Sequence, residues 1–167
     1  TAIQKQIDRL DAGKINLVQP ANLHLTMKFL GEIEPDQVEE ITAMMAECSS
    51  YSARSLKVKG IGVFPHYDYL KVIWAGLEES QFLQELKSEL ESKADQLGFK
   101  PDYRSFHPHL TIGRVKKVWR KEELVSTLRQ FEDKSFGQME FDRLKLKEST
   151  LTADGPRYED LSLVELD

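Results

Sequence analysis

Apolar residues recur along this chain with two periods, and the change from one to the other sets out the elements. Ile3, Ile7 and Leu10 are spaced for one face of a helix over 1–10, which Gly13 ends. Residues 15–19 read as a short strand closed by Pro20, and 23–30 as a longer one closed by Gly31. Glu34-Pro35 opens a second helix, with proline in the first turn and Val38, Ile41 and Met45 as its buried stripe.

Two strands follow. Leu56 and Val58 alternate, but the phase shifts at Ile61 and Val63, which predicts a bulge at Gly60. Residues 64–68 read as the connecting turn. Residues 69–75 are apolar on both faces, the pattern of a central strand. A long helix is expected over 79–97 with Phe82, Leu86, Leu90 and Leu97 on one side and Gly98 as its stop. A strand near 106–115 and a helix over 121–131, burying Leu124, Leu128 and Phe131, come next. Residues 139–146 read as one long strand with a phase shift at Asp142-Arg143, and 161–166 as the last.

Paired strands separated by helices predict an α+β fold with mainly antiparallel sheets. The unit strand–helix–strand–strand occurs twice. That duplication predicts a single bilobal domain over 1–167, its two similar lobes facing a central cleft.

The strand that opens each unit carries the same polar signature. Asn22-Leu23-His24-Leu25-Thr26-Met27-Lys28-Phe29 and His107-Pro108-His109-Leu110-Thr111-Ile112-Gly113-Arg114 both contain His-Leu-Thr before an apolar residue. In an extended chain alternate side chains face opposite ways. His24, Thr26 and Lys28 then share one face, with Leu23, Leu25, Met27 and Phe29 on the core side. His109 and Thr111 likewise oppose Leu110 and Ile112. One His-x-Thr is an ordinary strand pattern, but two in matching contexts gather two imidazoles and two hydroxyls. Two histidines can divide proton removal and proton supply across one bond, as displacement at phosphorus requires. The hydroxyls suit the non-bridging oxygens, where charge develops, and Lys28 adds a positive charge on the same face.

Other candidates are weaker. Phe64, at a strand end, reads either as a core residue or as a platform for a base or ribose. Arg114 falls opposite His109 by strict alternation, and a bulge at Gly113 re-aims it towards the histidine face. His107 and His109 have a chelating spacing, but no third ligand and no His-Glu-x-x-His pattern accompanies them, so neither metal nor cofactor is expected. His66 reads as a surface turn residue.

The composition is that of a globular chain of 167 residues, 40% hydrophobic and 31% charged. A net charge of −5 gives no global attraction for nucleic acid, so an anionic substrate depends on local charge. Arg114, Lys116, Lys117, Arg120 and Lys121 supply such a cluster, which also reads as a solvated turn before a helix. The single Cys48 excludes an internal disulfide. No membrane-length apolar run or signal-peptide pattern is present, so a cytoplasmic protein with no obligatory protein partner, a monomer, is expected.

At these motifs the chain resembles the 2H phosphoesterase superfamily, in particular the RNA 2′,3′-cyclic phosphodiesterases, also called 2′-5′ RNA ligases. The matching blocks are residues 20–32, Gly60-Ile61-Gly62-Val63-Phe64-Pro65, Phe106 through Arg114, and Lys147-Glu148-Ser149-Thr150-Leu151. The resemblance implies a bilobal fold with both motifs in its cleft. It implies metal-independent hydrolysis of 2′,3′-cyclic phosphate termini of RNA to 2′-phosphates, and ligation where a 5′-hydroxyl replaces water. His24 maps to the acid at O3′, His109 to the base, and Thr26 and Thr111 to the phosphate contacts. The two histidines are alike in sequence, so the reverse assignment stands beside this one. Another small cyclic phosphate, a 2′-5′ oligonucleotide, or a non-catalytic RNA-binding module are the rival expectations. Such relatives open with a strand of the type Arg-x-Phe-Ile-Ala-Ile, for which this sequence has no counterpart. Its absence is expected to cost stability.

Overall fold

The computed structural model describes residues 2–78, 80–152 and 155–167. The expected helix starts at Thr1 and Glu79 lie outside them. Among the described residues four helices form: α1 (Ala2–Leu10), α2 (Gln37–Ala46), α3 (Ser80–Gln96) and α4 (Lys121–Arg129). Seven strands accompany them: β1 (Gly13–Leu17), β2 (Arg54–His66), β3 (Tyr69–Leu77), β4 (His109–Val118), β5 (Ser135–Phe141), β6 (Arg143–Thr152) and β7 (Gly155–Glu165). The fold is α+β. Its strands make a five-stranded sheet in the order β1-β4-β3-β2-β5 and a two-stranded ribbon of β6 and β7.

The chain divides into two compact units, and β2 and β5 each begin in one and finish in the other. The first unit holds residues 1–25, 57–78 and 107–138. Its sheet buries Leu110, Ile112 and Val115 from β4, Ile73 and Ala75 from β3, and Ile61 and Val63 from β2. Ile3 and Ile7 of α1 and Leu124 and Leu128 of α4 are buried with them. The α1 side chain Gln4 fastens its helix to the sheet, donating to the carbonyls of Val18 and Ile112 at 2.7 and 3.0 Å.

The bulge expected at Gly60 is present. The β2–β3 register jumps between Val58 and Ile61, and Gly60 has φ +77°. A Cβ there would lie 2.5 Å from the Glu132 carbonyl oxygen, so both the dihedral and the space demand glycine.

The second unit holds residues 26–56, 79–106 and 139–167. There α2 packs on β7, β6 and α3, burying Ile41, Met44 and Met45. Leu83, Leu86, Leu90 and Ala94 form the buried stripe of α3 together with Phe82, whose ring meets Phe141 edge to face at 5.7 Å.

Four expectations are corrected. The first motif is not a strand over 23–30: Leu25 alone is paired, through an isolated bridge to Leu110, and Phe29 is 70% exposed rather than core-facing. Residues 139–146 are two strands in different sheets, since β5 joins the large sheet while β6 pairs with β7. Residues 64–66 continue β2, paired with Val72, Leu70 and Tyr69, so the turn shrinks to Tyr67-Asp68. The last strand starts at Gly155, well before 161, because β6 offers a partner along its whole length.

Candidate active site

The site is built on the face of the large sheet opposite the buried Leu110, Ile73 and Ala75. On β4, strict alternation would turn Arg114 away from His109 and Thr111. The β3–β4 register instead pairs Trp74 with Thr111 and Ile73 with Gly113, so Ile112 is an extra residue and the phase changes there. Val115 is buried at 6%, and Arg114 comes out on the same face as His109 and Thr111. Paired residues of antiparallel strands share a face. Gly76, Trp74 and Val72 therefore accompany His109, Thr111 and Arg114 on that face. Gly62 and Phe64 extend it on β2, and Asn16 on β1.

The first motif enters this face from the other side of β4. β1 accompanies β4 only as far as Leu17 opposite Gly113. The chain then makes the turn Pro20–Asn22 and returns to pair Leu25 with Leu110. In an antiparallel bridge the flanking residues stand opposite each other, which places His24 across from Thr111. Leu110 points into the core, so His24 and Thr111 lie on the open face with His109.

Both imidazoles are held in the same way. Nδ1 of His24 lies 2.8 Å from the carbonyl oxygen of Asn22, and Nδ1 of His109 lies 2.6 Å from that of His107. A carbonyl only accepts, so each Nδ1 carries the proton and donates it. Nε2 is then the atom on each ring that takes or gives a proton in a reaction. Around His109 the Phe64 ring stands edge to face at 5.0 Å and Trp74 at 6.1 Å, with Phe64 and Trp74 themselves 5.2 Å apart.

The remaining candidates are placed as follows. Thr26 follows the bridged Leu25 and is the first residue of the second unit. Lys28 lies within that unit and its side chain is only 6% exposed. It donates to Glu91 at 2.5 Å and to the Lys100 carbonyl at 3.1 Å. Glu91 also receives Lys87 and the Asp102 backbone N–H. Burial pushes the Glu91 carboxyl up, but Lys28, Lys87 and the Asp102 N–H outweigh it and hold it below the ordinary range. The Lys28 charge is thus matched locally. Among the described residues no three His, Cys, Asp or Glu side chains gather as metal ligands, and no helix is long and apolar enough to cross a membrane.

Trp74 and Gly62 belong to the site without having been singled out from sequence. A Cβ on Gly62 would lie 2.1 Å from Cζ2 of Trp74, so the indole lies flat across that glycine. Only the cross-strand register joins residues 12 positions apart in this way.

The family model described as the 2′-5′ RNA ligase superfamily matches residues 1–150. This chain belongs to the 2′-5′ RNA ligase superfamily. Relatives named RNA 2′,3′-cyclic phosphodiesterase match most of its length. That of Methanocaldococcus jannaschii is 41% identical over 145 residues, 87% of this chain and 81% of the relative. That of Methanothermobacter thermautotrophicus is 32% identical over 165 residues, 98% of this chain and 89% of the relative. Among solved structures, a Thermus thermophilus protein superposes with a TM-score of 0.80 at 23% identity, over 99% of this chain and 90% of its own. Escherichia coli LigT complexed with 3′-AMP gives 0.69 at 22%, over 99% and 91%. At those identities the two structures establish that this superfamily member shares their fold.

Proposed function

We propose that this protein is an RNA 2′,3′-cyclic phosphodiesterase that opens the cyclic phosphate at the P–O3′ bond and leaves a 2′-phosphate. The observation that carries the reading is the matched pair of anchored imidazoles. His24 and His109 each donate from Nδ1 to a carbonyl two residues back, so the same ring nitrogen, Nε2, is presented twice on one face. The names of the relatives support the substrate.

In the step proposed, Nε2 of His109 takes a proton from water as its oxygen attacks phosphorus. The P–O3′ electron pair leaves with O3′, and the protonated Nε2 of His24 delivers its proton there. No metal takes part. Thr111 and Thr26 donate their hydroxyls to the non-bridging oxygens, which gain charge in the transition state. Arg114, on the histidine face, adds a fixed positive charge, and Phe64 flanks the nucleoside. Lys28 holds the segment after the first motif to Glu91 instead of meeting substrate. With a 5′-hydroxyl in place of water, the same attack forms the new P–O5′ bond as P–O3′ breaks, and joins RNA ends by a 2′-5′ bond. We also read the protein as monomeric, and as cytoplasmic in keeping with its one buried, free cysteine.

The test is a product assay on uridine 2′,3′-cyclic phosphate with a chelator present. The wild type is expected to give a 2′-phosphate, and His24→Ala and His109→Ala each to lose roughly 10²- to 10⁴-fold in kcat. A 3′-phosphate product, or a histidine variant with full activity, would refute the assignment. Activity abolished by the chelator alone would refute the metal-independent step.

A further inference from the structure

The open face of the sheet continues past Arg114, away from His109. The β1–β4 register pairs Lys14 with Lys117, on the face that carries Asn16 and Arg114. On the next strand Tyr69 pairs with His66 on that same face. Tyr69 is 56% exposed, and the Lys71 ammonium lies 4.5 Å above its ring.

The charge of this region runs against that of the chain. The protein carries 28 acidic residues and a net charge of −5, yet no Asp or Glu occurs anywhere in β1, β2, β3 or β4. Lys14, Lys71, Arg114 and Lys117 pair with no carboxylate among the described residues, whereas neighbouring Lys121 and Arg120 are matched to Asp68 and Glu123. Cations left without a counter-charge, beside a well-exposed aromatic residue, are the elements of a single-strand track. The cations follow the phosphates, and the ring takes a base. With Ile112 and Lys116 as extra residues in the register, Thr111 and Lys117 are four strand steps apart, roughly 13 Å at the usual rise, which is beyond the reach of one nucleotide.

We propose that Arg114, Lys117, Lys14 and Tyr69 form a track for the nucleotides that precede the cyclic phosphate. The enzyme then acts on single-stranded RNA ends in preference to mononucleotides. This rests on the reading of His24 and His109 as the reacting centre. Arg114 joins the two, while Lys14, Lys117 and Tyr69 lie outside that centre.

The experiment compares uridine 2′,3′-cyclic phosphate with a fluorescein-labelled octauridylate ending in the same group, in wild type, Lys14→Ala/Lys117→Ala and Tyr69→Ala. The wild-type kcat/KM is expected to favour the octamer at least tenfold, mainly through KM. The double variant is expected to lower the octamer-to-mononucleotide ratio at least fivefold and to flatten the slope of log affinity against log salt by about 0.7 per lysine. Tyr69→Ala is expected to lower the ratio about fivefold or more without changing that slope. An unchanged ratio and slope in the double variant, or equal losses on both substrates, would overturn the track. Should the wild type hydrolyse neither substrate, the reading of the histidines fails. Octamer binding by fluorescence anisotropy then decides the track alone. Weakening in the double variant upholds the track, and binding equal to wild type overturns it.

Discussion

Phe64 stands edge to face against His109, their ring centroids 5.0 Å apart and their planes at 83°. The two residues lie on β2 and β4, with β3 between them, so the contact spans three strands. An aromatic pair of this kind contributes about 0.5–1.5 kcal/mol beyond area burial. If that energy keeps the imidazole in its reacting orientation, Phe64→Ala lowers kcat by roughly 2- to 13-fold, and Phe64→Leu recovers part of the loss. A rise in KM with kcat intact would show that Phe64 serves the nucleoside alone and does not hold the imidazole.

Gly62 fixes the depth of the site floor. Adding one methyl group puts a Cβ 2.1 Å from Cζ2 and 2.3 Å from Cη2 of the Trp74 ring. The indole has to move, and both Phe64 and His109 pack against it. Gly62→Ala is expected to cost about 1–3 kcal/mol of stability, read as a lower denaturant midpoint at unchanged slope. It is also expected to reduce turnover of a cyclic nucleotide even where the variant is fully folded. Full activity in a folded variant would show that the indole position does not matter to the reaction.

The chemistry of this molecule is more legible in its sequence than its architecture is. Two His-x-Thr units, each beside an apolar alternation, mark the groups proposed to react because their types and spacing are local properties. The Gly60 bulge is legible for the same reason, as the phase of Leu56 and Val58 fails at Ile61. What the sequence hides depends on partners far along the chain. Leu23 to Leu30 alternate like a strand, yet only Leu25 finds a partner, since β1 takes that side of β4 down to Gly113 and β4 itself begins at His109. Asp142 interrupts an apolar run because the backbone there leaves one sheet for another, and its carbonyl receives the Leu166 N–H at 2.9 Å. The face that Arg114 occupies is decided by one extra residue, Ile112, in the register with β3. Trp74 looks like a central-strand residue, and only its pairing with Gly62 places it in the site.

Cys48 serves as an internal reporter of unfolding. Its side chain is wholly buried. Burial, followed by the charge of Glu89, pushes the thiol up to about 11. Since the thiolate is the reactive form, modification by a disulfide reagent at pH 8 is expected to be negligible in the folded protein. Its rate should then follow the unfolded fraction as denaturant rises. Fast modification at zero denaturant would mean that the Cys48 environment opens locally.

Glu91 couples charge to the segment that carries the first motif. It receives Lys28, Lys87 and the Asp102 N–H, and Lys28 stands two residues after Thr26. Replacing the carboxylate with an amide leaves two nearly buried lysines without their counter-charge, so Glu91→Gln is expected to cost about 1–3 kcal/mol at pH 7. The Glu91 carboxyl is held below its ordinary value of 4.5, so the unfolded chain binds its proton more readily than the folded one. The stabilisation is therefore complete above about pH 4.5 and disappears as pH falls through the lower folded value. Denaturant titrations of both proteins from pH 7 downward should show the gap between them constant to near pH 4.5 and closing below it. At pH 7, kcat/KM on a cyclic nucleotide should fall as well, because Thr26 loses the anchor that follows it. Glu91→Asp should restore part of that loss if the charge supplies the anchor. A gap that stayed constant through the acid range would show that the stabilisation does not come from the Glu91 charge.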